Sequence, residues 1–117
     1  MLFRSGKFVM PNAGAFAAAA GSANWLHSPG NYILLLNQPS PAAWPITGAT
    51  FILVYRNQQD AARGAQVLKF FDWAYKKGDA MAASLDYVPL PGNIKNLLER
   101  QWAKSVTADG KPVFVAK

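Results

Sequence analysis

Five consecutive residues, Phe51-Ile52-Leu53-Val54-Tyr55, constrain this chain more than any other stretch, because all are apolar, β-branched or aromatic with no polar alternation. An uninterrupted run of this kind predicts a strand covered on both faces, as in the parallel or mixed sheet of an α/β fold. Beyond it the apolar period changes. Asp60 predicts a helix N-cap, Lys76 and Lys77 complement the dipole of a last turn, and Gly78 follows as the stop. Stepping 100° per residue from Val67 places Leu68, Phe70, Phe71, Ala74 and Tyr75 within an arc of about 160°. Lys69, Asp72 and Lys76 fall opposite, and Trp73 lies at the edge. The pattern predicts an amphipathic helix packed on a sheet. Gly64 is its expected weak point, costing about 1 kcal/mol relative to Ala.

The remaining elements are shorter. Lys7–Pro11 predicts a short strand stopped by its proline, and Tyr32–Leu36 a short buried strand. Asn12 caps an Ala-rich helix from Ala13 to about Ala20. Residues 21–31 are loop, and Asn37–Trp44, with Pro39 and Pro41, is a connector. A helix over Asp79–Leu85 precedes the extended segment Tyr87–Pro91, since each proline disfavours helix in the residue before it. The last helix spans about Gly92 to Lys104, with Ile94, Leu97, Leu98 and Trp102 on one face. Gln101 lands in the middle of that face and needs a partner or a frayed helix end. Ala108-Asp109-Gly110-Lys111 is a turn into a terminal strand around Val113–Val115.

Composition narrows the chemistry. The 117 residues are 51% apolar and 15% charged, which suits one modest folded domain rather than a disordered segment. With no cysteine, disulfide scaffolds, Cys-ligated zinc and thiol catalysis are excluded. The longest apolar runs, Ala15–Ala20, Tyr32–Leu36 and Phe51–Tyr55, fall far short of the ~20 residues of a membrane helix. The net charge of +6 is spread from Arg4 to Lys117, and only Lys76 and Lys77 are adjacent. Nucleic-acid binders cluster such charge along one face, so a solvated basic surface is the reading here.

No catalytic, metal or cofactor constellation emerges. Of the six carboxylates, Asp60 and Asp79 read as caps, Asp109 as a turn residue, and Asp72 and Glu99 as exposed helix positions. Asp86 alone lacks a local role. His27, the single histidine, lies in a Ser/Pro/Gly loop, and no serine has a nucleophile-elbow setting. Thr47-Gly48-Ala49-Thr50 offers hydroxyl and backbone donors suited to a phosphate. An anion nest, however, gains its strength by opening a helix, and this motif leads into a predicted strand. It reads as a strand entrance. Trp25, Trp44, Trp73 and Trp102 read as packing residues rather than a sugar-stacking platform.

Three runs carry a family resemblance: Ala43-Trp44-Pro45-Ile46-Thr47-Gly48-Ala49-Thr50-Phe51-Ile52-Leu53, Val67-Leu68-Lys69-Phe70-Phe71-Asp72-Trp73-Ala74-Tyr75-Lys76-Lys77-Gly78, and Leu85-Asp86-Tyr87-Val88-Pro89-Leu90-Pro91. Together they resemble the C-terminal part of the PstS family, the periplasmic solute-binding components of phosphate ABC transporters. The ending Asp109-Gly110-Lys111-Pro112-Val113-Phe114 is similar to the family terminus, and Lys7–Trp25 and Asn37-Gln38 also fit. The resemblance covers about Gly6 to Phe114.

It implies the C-terminal portion of a two-lobed type II periplasmic-binding-protein clamp, an α/β fold that is incomplete here. Residues 6–45 would close the second lobe and form the connector, and 46–117 would complete the first lobe, with the hinge crossing near 44–50. The parent would be a monomer in the periplasm, not an enzyme, that captures inorganic phosphate between its lobes and delivers it to the membrane permease. The family's ligands are Thr, Ser, Asp and Arg groups and a Phe backbone group, including a Ser-Gly-Thr loop with a nearby Arg. All belong upstream, so no phosphate-binding residue is transferred to Thr47–Thr50 or elsewhere in this chain. Met1-Leu2-Phe3-Arg4-Ser5 is too short and polar for an export signal and resembles a translated sequencing adapter; residues 1–5 are an expected non-native scar. The alternative is a stand-alone short α/β interaction module without ligand-binding activity.

Overall fold

Asn12 starts the first helix as its side chain predicts. In the computed structural model, which describes residues 6–115, its Oδ1 accepts from the Ala15 N–H at 2.9 Å and α1 runs over Ala13–Ser22. Two single 3₁₀ turns follow, Trp25–His27 and Pro29–Asn31. Then come α2 (Ala61–Lys77), α3 (Asp79–Ser84), α4 (Gly92–Ser105) and a hairpin of β1 (Thr107–Ala108) with β2 (Lys111–Pro112). The expected scar at 1–5 lies outside the described residues.

Contacts divide the chain into two units, Met1–Ile52 with Val88–Pro91 and Leu53–Tyr87 with Gly92–Lys117. The apolar core of the first is Ala15, Ala19, Ala20, Trp25, Leu35 and Ala43. Trp25 anchors it, donating its indole N–H to the Ala20 carbonyl at 2.8 Å near the end of α1. The connector is tied to α1 by the Trp44 N–H on the Ala15 carbonyl at 3.0 Å. Phe51 closes an aromatic group, its ring centroid 6.5 Å from Trp25 and 5.1 Å from Tyr32.

The second unit is built on α2. Asp60 caps it, its Oδ1 accepting from the backbone N–H groups of Ala62 and Arg63. Leu68, Val106 and Phe114 form the buried cluster, with Val54, Trp102, Ala103 and Val113 packed around it. The buried line of α2 is narrower than the apolar arc, because only Gly64 and Leu68, one turn apart, are fully covered. Val67, Phe70 and Trp73 face solvent, and Phe70 stacks on Trp73 at 6.1 Å. Gly64, the expected weak point, is also a packing position, since a Cβ there would stand 2.7 Å from Gln58 Cγ and that side chain would have to shift. Gly78 is required by its surroundings, as a Cβ would sit 2.5 Å from the Ala74 carbonyl oxygen. The last helix holds Gln101 half-buried and partnered.

The strands differ most from expectation. Lys7–Pro11 is extended chain with a single bridge residue, Phe8. In Tyr32–Leu36 only Leu35 is buried, and no ladder forms. Phe51–Tyr55 also lacks a ladder among the described residues, and Leu53 is 96% and Tyr55 86% exposed. Pairing begins just past it: Thr107 N–H donates to Arg56 O at 2.8 Å and Gln58 N–H to Thr107 O at 2.7 Å, a parallel bridge on the outer side of β1. The terminal strand forms earlier than expected, with Thr107 opposite Pro112 and Ala108 opposite Lys111; beyond the ladder Val113 keeps one hydrogen bond, its N–H donating to the Val106 carbonyl at 3.2 Å. The reason is common to all of these segments. Strand propensity expresses packing against neighbours, and an extended run without a flanking strand has no ladder to join. Asp109-Gly110 succeeds because its two-residue turn is local, with φ of 49° and 74° as a primed hairpin turn requires.

Asp86 acquires the local role missing from its sequence context. It adopts φ of 61° just past α3, where its N–H donates to the Ala83 carbonyl and the Tyr87 N–H to that of Ala82. This is a Schellman ending, and its left-handed position favours glycine. Asp86→Gly is expected to stabilise the chain by about 0.5–1 kcal/mol in urea denaturation. A loss of stability would show that the carboxylate, not the backbone, matters there.

Candidate functional site

The Thr47–Thr50 segment is irregular and leads into an extended stretch, not a helix. The Thr47 hydroxyl is buried and donates to the Trp44 carbonyl at 2.8 Å, so its proton is engaged in a local turn. Thr50 is exposed. His27 is exposed in its 3₁₀ turn, with Nδ1 2.7 Å from the Asn24 side-chain oxygen, which makes the N–H at Nδ1 the donor. These groups do not converge. Among the tryptophans, Trp102 is half-buried with its centroid 5.2 Å from Tyr75 and 6.5 Å from Phe71, an internal packing arrangement.

Polar groups do converge where α2, α3 and α4 meet in the second unit. Asp79 is the first residue of α3 rather than its cap, which is Gly78, and its carboxylate takes the Lys95 ammonium. Lys95 Nζ also donates to the Tyr75 carbonyl at 2.9 Å and lies 5.9 Å from the Tyr75 ring centroid. Asp72 and Lys76 pair one turn apart on α2 at 2.6 Å. Glu99, expected on a solvated face, is only 5% exposed. Burial first, and then the Asp72 charge, push its carboxyl above the usual range, while Lys76 and Lys95 pull the other way. Burial and the Glu99 charge likewise raise the Tyr75 phenol. Lys76 is raised chiefly by its hydrogen bond to Asp72.

The sequence reading missed Lys95 and misplaced Glu99. The signal was present in the helical period: positions 94, 95, 98 and 99 form one stripe along α4, and all four are buried. Ile94 and Leu98 mark the stripe; residue type alone places Glu99 in solvent, and Lys95 is not singled out. Chemically the cluster binds helices together. No group of His, Cys, Asp or Glu among the described residues is arranged to hold a metal ion, and no described helix is long and apolar enough to cross a membrane. A shallow open depression in the first unit, lined by Lys7, Phe8, Met10, Asn12 and Pro41, presents mostly apolar surface.

Sequence comparison supplies what the geometry does not. Over 112 residues, 95% of the chain, it is 38% identical to the phosphate-binding protein PstS of Pasteurella multocida strain Pm70. Over 99 residues, 85% of the chain, it is 38% identical to PstS of Haemophilus influenzae and 40% identical to PstS of Xylella fastidiosa strain 9a5c. The chain is homologous to part of PstS. It spans 33%, 30% and 27% of the length of these three relatives. No family model matches it. Similarity to PstS extends through nearly the whole chain, so both units belong to the homologous region.

Proposed function

We propose that the chain is the C-terminal scaffold part of a periplasmic solute-binding protein that captures inorganic phosphate and delivers it to the permease of an ABC importer. The observation that carries this reading is identity of 38–40% to PstS proteins over 85–95% of the chain. In the whole protein, two α/β lobes close about a hinge on the anion, a binding rather than a catalytic cycle. Residues 6–45 belong to the second lobe, 46–117 to the first, and 44–50 to the crossing between them. The phosphate ligands lie outside this chain, and the parent acts as a monomer. The engaged Thr47 hydroxyl favours a structural role for Thr47–Thr50. The exposure of Ile52, Leu53 and Tyr55 within the apolar run Phe51–Tyr55 favours a scaffold role, since these side chains are open to cover by further strands.

The test is a chimera. Residues 6–117 replace the matching stretch of the Haemophilus PstS, and phosphate binding is measured by calorimetry. The chimera is expected to bind within about tenfold of the parent PstS, a difference of ~1.4 kcal/mol. The chain alone is expected to bind no phosphate. A folded chimera without affinity overturns the assignment, and micromolar binding by the chain alone, lost in Thr47→Val or Thr50→Val, overturns the placement of the ligands.

A further inference from the structure

The polar cluster of the second unit holds more negative than positive charge. Asp72 and Lys76 come from α2, Asp79 from the start of α3, and Lys95 and Glu99 from α4, with the Tyr75 phenol of α2 beside them. Two ammonium groups thus meet three carboxylates. Lys76 pairs with Asp72, and Lys95 is committed to Asp79 and the Tyr75 carbonyl. Glu99 is the carboxylate left over, buried and without an ion pair among the described residues. The hairpin packed on α4 contributes no compensation, because its Asp109 and Lys111 are exposed and neither pairs with Glu99.

We propose that Glu99 is a proton-responsive latch on the contact between α2 and α4, closed when its carboxyl is neutral and loosened when it ionises. A carboxylate on a side chain this largely covered, with no ion pair of its own, costs free energy that the neutral acid does not, so the proton balances the cluster. The sign follows from linkage. The carboxyl binds its proton more readily in the folded chain than in the unfolded one. Its contribution to stability is therefore complete at low pH and is lost as pH rises through its raised pKa. The Asp60 cap and the Asp79–Lys95 ion pair are common to the chain and to a variant altered at position 99 alone. Comparison with Glu99→Gln, a permanent mimic of the neutral form, isolates the latch from that background.

The experiment measures Tm of the full chain and of Glu99→Gln between pH 4 and 7.5. The variant is expected to melt a few degrees higher at pH 7.5, the gap closing as the pH falls. A gap that is absent, reversed or independent of pH overturns the latch. A second measurement does not depend on the variant folding: NMR titration of the Glu99 side-chain carboxyl carbon in the unaltered chain. A midpoint above that of an unperturbed glutamate, with amides of α2 and α4 titrating alongside, supports the latch. A midpoint at or below it overturns the latch.

Discussion

Truncation of Leu68 to alanine is expected to cost about 2–5 kcal/mol, enough to unfold much of the second unit. Leu68 is 1% exposed and stands at the centre of the cluster with Val106 and Phe114. Its loss removes apolar burial and leaves a cavity between α2 and the segment around the hairpin, whose short strands cannot collapse into it without breaking the Thr107–Pro112 and Ala108–Lys111 register. Total stabilities of about 5–15 kcal/mol leave little reserve against such a change. The check is urea denaturation combined with hydrogen exchange at the amides of α2 and α4. Leu68→Met, which conserves volume, is expected to cost less than about 1.5 kcal/mol. A loss below 1 kcal/mol for the alanine variant, on the order of a surface substitution, would show that the core lies elsewhere.

Trp25→Ala is expected to cost about 3–5 kcal/mol, with loss of exchange protection in α1. Trp25 is 3% exposed among small neighbours, with Ala15, Ala19 and Ala20 buried in the same unit. It is the largest of the buried side chains of that unit among the described residues. The indole also serves α1 electrostatically, because its N–H satisfies the Ala20 carbonyl near the helix end. Trp25→Phe separates the two contributions. It retains a ring but leaves that carbonyl only the longer bond from the Ala23 N–H at 3.4 Å, and is expected to cost about 0.5–1.5 kcal/mol beyond the small volume change. Equal losses for Phe and Ala would show that the hydrogen bond rather than the ring holds this unit together.

The contrast between Asp60 and Phe51–Tyr55 shows which parts of the fold were legible. Asp60, Asn12 and Asp109-Gly110 act within four residues of themselves, so their caps and turn form from contacts that any chain with that local sequence can make. A strand is different, because its hydrogen bonds belong to another segment. Phe51–Tyr55 carries the composition of a doubly covered strand, yet the described residues place no ladder beside it, and pairing starts only at Arg56–Gln58. Composition predicts what would stabilise a run, not whether the partner is there. Glu99 illustrates a second limit: charge type suggested solvent, but its position on the Ile94–Leu98 stripe carried it into the helix contact.

The candidate site was legible in part, through what the residues resemble rather than what they form. Ordered matches such as Trp44–Leu53 and Val67–Gly78 pointed to the PstS family, because homology preserves residue order even where local geometry does not display a site. By itself the sequence determined the helix caps, the Asp109-Gly110 turn, the absence of thiol chemistry and the kinship. Only the tertiary structure decided which apolar residues are buried, that Lys95 is held between α2 and α3, and that Glu99 enters the helix contact without an ion pair among the described residues. Those outcomes depend on contacts between segments far apart in the chain, where packing and desolvation override the preference of any single residue.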